Sequence, residues 1–219
     1  MKICKFIEIK NLSYSFRENS IFLKANLNLD KSSITFLIGP NGSGKTTLSK
    51  IILGIINVED KNGSIIIDGQ SIKNINLSDV GKKIGYLFQN PDKQLFNPTV
   101  KDELNFYQEY RNLNIDNDIN VINLFNLEKI MENKVVNLSE GEKKRLALAC
   151  ILQMHPQYLI LDEPTTGLDY KNKNILIRIL KELKASYSIG SLIISHDSDF
   201  IGNLSNRKIT IKDRKIQDV

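Results

Sequence analysis

The stretch that decides the fold of this 219-residue chain is Gly39-Pro40-Asn41-Gly42-Ser43-Gly44-Lys45-Thr46. It matches the pattern G-x-x-x-x-G-K-S/T, and Thr47 follows it. Its glycines allow the backbone to take positive φ angles and to bring N–H groups against phosphate oxygens. The apolar run at 33–38 predicts a buried strand before the loop, and the residues from 45 to about 53 predict a helix after it. The stretch is therefore predicted to be a phosphate-binding loop.

The residues at the end of this loop predict that the site binds a nucleotide and a magnesium ion. Lys45 supplies a mobile positive charge for the β- and γ-phosphates, and Thr46 supplies a hydroxyl for Mg²⁺. A further carboxylate is expected at the end of a neighbouring strand, and the apolar run at 158–161 leads directly into Asp162 and Glu163. Asp162 is placed to hold the metal through water, and Glu163 to polarise an attacking water. The pattern indicates a site that hydrolyses ATP.

Strand and helix patterns around the loop predict an α/β fold with a P-loop NTPase core. Strands are predicted at 3–16, 20–29, 63–68, 83–88 and 191–195, with a terminal pair within 209–216 and a helix at 170–186. Between about 90 and 154 the pattern becomes helical, with helices at 99–111, 116–125 and 139–154. We therefore expect one domain at 1–219. Its core, at 1–89 and 155–219, has a mostly parallel sheet, flanking helices and an N-terminal antiparallel β region. An α-helical subdomain is inserted at 90–154.

Composition and charge exclude several classes of protein. The net charge of +5 permits an acidic partner but does not call for nucleic acid. No apolar run reaches the roughly 18–20 residues needed to cross a bilayer, and the first ten residues lack the apolar core of an export signal. Two cysteines, Cys4 and Cys150, are too few for a disulfide framework. The longest basic cluster, Lys143-Lys144-Arg145, is expected to be a solvated face.

Three further positions complete the candidate site. Ser139 is a plausible helix N-cap, with Glu142 at the capping-box spacing. Gln89 follows the strand at 83–88, and His196 follows the strand at 191–195. In isolation, each of these features could be a helix cap or an ordinary strand end. His155 lies in no motif and is given no role.

Taken together, these residues resemble the ATP-binding-cassette (ABC) ATPases over nearly the whole chain, from residue 14 to residue 196. Residues 39–46 are similar to the Walker A motif, and Gln89 is similar to the Q-loop glutamine. Residues 138–142 resemble the signature motif, usually written LSGGQ. Residues 159–162 with Glu163 resemble Walker B and the catalytic glutamate. Leu168-Asp169 resembles the D-loop, and His196 the switch histidine.

The resemblance implies how these residues work. Tyr14 lies where the family often places an aromatic ring under the adenine. Two cassettes, identical or different, sit head to tail, so that Ser139 and Gly141 of one cover ATP held by the phosphate loop of the other. His196 contacts the γ-phosphate, and Gln89 is a metal ligand that joins the site to the helical subdomain.

The signature departs from the family pattern at two positions. Glu140 and Glu142 replace the usual glycine and glutamine, which puts carboxylates near an anion site and is expected to weaken ATP capture if they face it. Helix capping is expected to turn Glu142 away from the site. Gly141, whose missing side chain allows close phosphate approach, is retained.

The stretch at 89–106, which begins Gln-Asn-Pro-Asp, resembles the energy-coupling-factor (ECF) ATPases that energise uptake of vitamins and of cobalt or nickel ions. The run at 142–149 is similar to the same subgroup. The resemblance implies a peripheral ATPase on the cytoplasmic face of the membrane, bound to integral membrane subunits that alone contact the substrate. Leu95, Phe96 and Val100 are expected either to line a groove for a helix of that partner or to pack inside the helical subdomain.

One feature departs from the ECF subgroup and leaves two alternatives open, a short-form ECF ATPase or the cassette of another importer. Many members carry a longer C-terminal extension, whereas this chain has only 23 residues after His196. A further alternative is a soluble ABC ATPase, such as one that assembles iron–sulfur clusters. A GTPase is disfavoured because the guanine-selecting N-K-x-D motif is missing: Asn172-Lys173-Asn174 is followed by Ile175.

Overall fold

The computed structural model describes residues 5–109 and 119–219. The strands are β1 Lys5–Phe16, β2 Asn19–Asp30, β3 Ile34–Ile38, β4 Ser64–Ile67, β5 Gln70–Ser71, β6 Ile84–Leu87, β7 Tyr158–Asp162, β8 Gly190–Ile194, β9 Arg207–Lys212 and β10 Lys215–Asp218. The α-helices are α1 Lys45–Ile52, α2 Leu77–Lys83, α3 Val100–Glu109, α4 Val121–Phe125, α5 Glu140–Gln153, α6 Tyr170–Tyr187 and α7 Ser198–Leu204.

Two sheets form the framework, and they confirm the predicted fold class. One has six strands in the order β10-β9-β3-β8-β7-β6, with every neighbouring pair parallel except β9 and β10. The other is the antiparallel sheet β2-β1-β4-β5. Because parallel strands end at one edge of the sheet, β3, β6, β7 and β8 deliver the phosphate loop, Gln89, Asp162 and His196 to that edge.

The six-stranded sheet separates two apolar cores, and alternate residues of its strands face each of them. On β7, Leu159 and Leu161 belong to the cluster that also contains residues of the helices α3 to α7. Tyr158 and Ile160 belong to the cluster formed with α1 and the antiparallel sheet. Both faces of β7 are therefore covered, and its end is held rigidly.

Between β6 and β7 the described chain is helical. Most of α5 is buried, and it packs against α3 and α4 in the first core. Leu95 and Val100 are buried in this core, so of the two alternatives they pack inside the helical region. Phe96 alone of the three is exposed, at 62%. The structure does not describe residues 1–4 and 110–118. The expected helices at 99–111 and 116–125 and the expected first strand at 3–16 extend into these residues, and Cys4 lies among them.

The helices α2 and α7 are missing from the sequence-based prediction. Each has seven residues, too few to show a clear helical period. The one local signal is Asp197, whose Oδ1 accepts a hydrogen bond of 3.0 Å from the backbone N–H of Phe200 at the start of α7. Among the described residues, no helix combines the length and apolar character needed to cross a membrane.

Candidate active site

The phosphate loop connects the end of β3 to the start of α1. Gly42 and Gly44 have φ angles of 79° and 103°, a region that side-chain-bearing residues rarely adopt. A Cβ atom at Gly44 would also lie 2.5 Å from Cγ2 of Ile21 on β2. Both the backbone conformation and the overlying strand therefore require glycine at position 44.

The groups around this loop suit an anion. Helix α1 has Gly44 as its N-cap, with no side-chain cap and no acidic residue in its first turn, so its first N–H groups remain available. Ser43 Oγ is buried without a hydrogen-bond partner among the described groups. Lys45 Nζ lies at the same loop and donates to the carbonyl oxygens of Gly39 and Pro40, at 2.8 and 2.9 Å. Phosphate oxygens would satisfy these donors.

A single carboxylate oxygen is the focus of the expected metal site. Asp162 Oδ2 accepts hydrogen bonds from Thr46 Oγ1 at 3.2 Å and from the Tyr86 hydroxyl at 3.1 Å. Burial, together with the neighbouring Asp162 carboxylate, raises the pKa of Tyr86, so its hydroxyl stays protonated and donates.

The donor set at this point is one that magnesium accepts. Within the described ranges there is no cluster of three His, Cys, Asp or Glu side chains able to hold a metal. Thr46 and Asp162 instead offer a hydroxyl and one carboxylate, and Gln89 lines the same cleft. Magnesium is commonly bound through one or two carboxylates together with substrate phosphates, so these residues fit it.

Glu163 and His196 lie beside this carboxylate. The backbone of Glu163 has a φ angle of 48° and its N–H donates to the Ile194 carbonyl at 2.9 Å. Its carboxylate contacts Nδ1 of His196 at 3.1 Å through Oε1 and 3.0 Å through Oε2. The Glu163 side chain is only 14% exposed, whereas that of His196 is 81% exposed. Strained backbone of this kind clusters at functional sites.

A cleft of about 480 Å³ brings ten of the predicted site residues together. They are Asn41, Gly42, Gly44, Lys45, Thr46, Thr47, Gln89, Asp162, Glu163 and His196. Ile21, Thr166 and Ile194 also line it, and the sequence analysis missed them because they lie outside the motifs. Gly39, Pro40 and Ser43 belong to the same loop.

Tyr14 is not among the residues that line this cleft. It pairs with Phe22 across β1 and β2, and its partly buried side chain packs on the core between the two sheets. Ile21, one residue before Phe22 on β2, lines the cleft instead. The role of Tyr14 under an adenine ring remains a prediction.

Ser139 and Gly141 lie at the start of α5 and are not among the residues that line the cleft. Glu142 Oε2 accepts hydrogen bonds from Ser139 N at 2.8 Å and Ser139 Oγ at 2.7 Å, while Ser139 Oγ accepts from Glu142 N at 3.3 Å. These bonds lower the pKa of Glu142. The capping box predicted from the spacing is therefore confirmed.

The basic cluster on α5 is not a solvated face, so that prediction is wrong. Lys143 Nζ forms an ion pair of 2.8 Å with Asp92 Oδ1, just after Gln89. Lys144 is 4% exposed, donates to the Thr166 carbonyl and lies 3.5 Å from Glu140. Its burial lowers its pKa. Arg145 donates to Asn172 Oδ1 on α6. The three cations thus connect α5 to three different segments near the cleft.

The two unusual signature positions are also packed against these segments. A Cβ atom at Gly141 would lie 2.7 Å from Cγ of Asn172, so a side chain there would force Asn172 on α6 to shift. The carboxylate of Glu140 occupies the space in front of Gly167, where a Cβ atom would overlap it. Gly141 therefore has a packing role in addition to the phosphate role expected from the sequence.

Comparison with known proteins agrees with this geometry. The family model described as ABC transporter matches residues 22–166, more than half of the chain. The energy-coupling factor transporter ATP-binding protein EcfA1 of Ligilactobacillus salivarius is 37% identical over 218 residues, covering 97% of this chain and 76% of that protein. EcfA of Methanothermobacter thermautotrophicus is 39% identical over 210 residues, covering 92% and 66% respectively.

A solved structure shares the fold along the whole chain. CbiO1 of Clostridium perfringens, described as part of the ABC transporter complex cbiONQ, superimposes with a TM-score of 0.86 and 28% identity. The match covers 98% of this chain and 87% of that one. This chain belongs to the ABC transporter family and is one of its ATP-binding, ATP-hydrolysing subunits.

Proposed function

We propose that this ATPase energises an ECF-type importer, which takes up a vitamin or cobalt or nickel ions. The observation that carries the proposal is an apolar groove beside the Q-loop segment, on a chain 37% identical to an energy-coupling factor ATPase. The relatives' names favour this function over a soluble iron–sulfur assembly ATPase. In this proposal, the membrane subunits of the transporter determine which substrate is carried.

In the proposed reaction, the phosphate loop and Lys45 hold the phosphates of ATP. Thr46, Asp162 and Gln89 would hold Mg²⁺, and the bound ion would supply positive charge to neutralise the phosphates. Glu163 orients the attacking water and accepts its proton. His196 holds the Glu163 carboxylate through Nδ1, and its exposed ring is available to the γ-phosphate.

The chain is proposed to act with a second cassette, identical or different, arranged head to tail. Ser139 and Gly141 lie outside the cleft that contains the phosphate loop, and one chain has no use for two separate γ-phosphate sites. In the pair, these residues would cover ATP held by the partner. In this proposal, residues 90–154 act as a helical subdomain that carries the signature.

The groove is proposed to receive a helix of a membrane-spanning subunit. It measures about 310 Å³ and is lined mainly by apolar side chains, among them Ile55, Leu77, Phe88, Tyr107 and Met154. Ile55, Leu77 and Phe88 are unusually exposed for their type. An amphipathic helix binds such a groove with its apolar face. Phe88 lines the groove and immediately precedes Gln89, which lines the nucleotide cleft. With a membrane subunit bound there, the chain would act at the cytoplasmic face of the membrane.

Affinity purification tests this function. The tagged protein is isolated from its native membranes in mild detergent, and the co-purified proteins are identified by mass spectrometry. The variant Leu77→Asp should lose an integral membrane subunit that wild type retains, because a charge would enter the apolar groove. Leu23→Asp, which changes an exposed leucine on β2 outside the groove, serves as the control. Recovery of soluble partners alone, or equal recovery with Leu77→Asp, would contradict the proposal.

A further inference from the structure

Tyr86 occupies a position that no motif of the sequence assigns. It lies on β6, directly opposite Ile160 of β7 in the parallel sheet. Its hydroxyl reaches across to the end of β7 and donates to Asp162 Oδ2 at 3.1 Å. A side chain from the neighbouring strand thus contacts the carboxylate expected to bind the metal.

The position of Tyr86 is fixed by groups other than Asp162. Its ring packs edge-on against Phe88, with ring centroids 4.8 Å apart and an interplanar angle of 86°. Its carbonyl oxygen accepts a hydrogen bond of 2.9 Å from Gln94 Nε2, and Gln94 Oε1 accepts one of 2.8 Å from Phe88 N. These contacts hold Tyr86 in place, so its hydroxyl meets Asp162 in a fixed orientation, as an orienting group requires.

The second donor to the same oxygen is Thr46 Oγ1, at 3.2 Å. A threonine hydroxyl can offer a lone pair to a cation and still donate its hydrogen to Asp162, so Thr46 would contact both the metal and the carboxylate. Tyr86 approaches the same oxygen from β6 and has the carboxylate as its partner. With both donors in place, Asp162 Oδ2 is held from two sides, which keeps the carboxylate from rotating.

We propose that Tyr86 is a positioning residue that holds Asp162 Oδ2 in the orientation needed for the divalent cation. The inference rests on the metal site of the proposed function and adds a residue to it. Hydrogen-bond partners of metal ligands commonly contribute about tenfold to a hundredfold to metal affinity. The effect should appear in cation binding itself, before any turnover.

The test measures Mn²⁺ binding to the full chain with ADP, by electron paramagnetic resonance. Tyr86→Phe keeps the ring and removes the hydroxyl, and about tenfold weaker Mn²⁺ binding is expected. ADP affinity in EDTA should equal that of wild type, because the phosphate loop is unchanged. Tyr158→Phe is the matched control: it removes a buried hydroxyl without a partner among the described groups, at the other end of the strand that carries Asp162.

Asp162→Asn separates the two possible failures. If Asp162→Asn weakens Mn²⁺ binding but Tyr86→Phe binds like wild type, the role of Tyr86 is overturned and the metal site stands. If Asp162→Asn also binds like wild type, the metal site itself is overturned. Weaker binding in Tyr158→Phe, equal to that in Tyr86→Phe, would show a general effect of losing a buried hydroxyl and would overturn the inference. A thermal melt of each variant verifies folding, and Tyr86→Met repeats the test if Tyr86→Phe is unfolded.

Discussion

The helices α1 and α5 both begin with residues predicted to bind phosphate, but their first turns differ. Helix α1 has the left-handed Gly44 as its N-cap, no side-chain cap and no acidic residue in its first turn. Helix α5 has Ser139 as its N-cap, a complete capping box with Glu142, and two acidic residues in its first turn. The N-terminal N–H groups of α1 are open to an anion, whereas α5 carries its own carboxylate at the equivalent place.

The two halves of the proposed composite site are therefore prepared to bind phosphate to different extents. The positive end of α1 and Lys45 can bind phosphate at once. At α5, Glu142 already accepts the hydrogen bonds of Ser139 that a partner's phosphate would need. Binding at the signature end therefore requires this carboxylate to move or its charge to be tolerated. Substitutions at the two helix ends and at the residues between them test this contrast.

The largest effect is expected from Glu163→Gln, which leaves both helix ends unchanged. Loss of the proposed general base should lower the ATPase rate by about a hundredfold to ten-thousandfold, while ATP binding persists. Because ATP then remains between the two ends, a dimer should accumulate with ATP, as measured by size-exclusion chromatography with light scattering. An ATPase rate equal to wild type would contradict the role of Glu163.

The change Lys45→Ala tests phosphate binding at the α1 end. It removes the ammonium that lies at the phosphate loop, and charge-assisted hydrogen bonds contribute about 1.5–3 kcal/mol. ATP affinity, measured by calorimetry, should fall about tenfold to a hundredfold. Lys50→Ala, at the last turn of the same helix, is the control and should bind ATP normally. Unchanged affinity in Lys45→Ala would remove the assignment of the phosphate loop.

The change Gly141→Ala tests whether the glycine on α5 is needed for packing against Asn172. A Cβ atom there meets Asn172, and overpacking of this kind costs about 1–3 kcal/mol of the free energy of unfolding. Urea denaturation should show this loss, and the double variant with Asn172→Ala should recover most of it. Asn172→Ala alone measures the loss of the contact with Arg145. Normal stability with lost ATPase activity would instead favour close approach of phosphate.

The smallest effect is expected from Glu142→Gln, which keeps a capping box but removes its charge. One charge near a surface anion site is worth on the order of 1 kcal/mol. The ATP concentration for half-maximal dimerisation of the Glu163→Gln protein should therefore fall about fivefold. Glu128→Gln, an exposed glutamate outside α5, is the control. No difference between the two would show that Glu142 does not oppose the nucleotide.

The same variant has a predicted pH dependence. Hydrogen bonds from Ser139 lower the pKa of Glu142 from 4.5. A carboxylate with a lowered pKa stabilises the fold fully above its ordinary value, and this stability is lost as the pH falls through the lowered value. The melting temperature of wild type should therefore fall more steeply below about pH 4.5 than that of Glu142→Gln.

The order of the motifs along the chain allowed the fold to be predicted, because local pattern and turn chemistry agree there. The phosphate loop requires a strand before it and a helix after it, and the structure has β3 and α1 at those places. Asp162 and Glu163 follow four apolar residues whose pattern indicated a buried strand, which the structure has as β7. Short elements with weak periods, such as α2 and α7, were missed for lack of such a signal.

The contacts of the basic cluster could not be predicted. Lys143, Lys144 and Arg145 are adjacent in sequence, yet each contacts a different segment. Charge and spacing alone are equally consistent with a solvated face. The same holds for Tyr86, whose partner lies 76 residues away, and for Tyr14, which lies between the sheets instead of along the cleft.

By itself, the sequence determined the loop, the strand ends, the capping box at Ser139 and the family, since each depends on residues close together in the chain. The tertiary structure was needed to show which side chains share one oxygen of Asp162, which side chain a Cβ atom at position 141 would meet, and which apolar residues face solvent. These features depend on distances across neighbouring strands and helices, and such distances are set when the sheet and its two cores pack together.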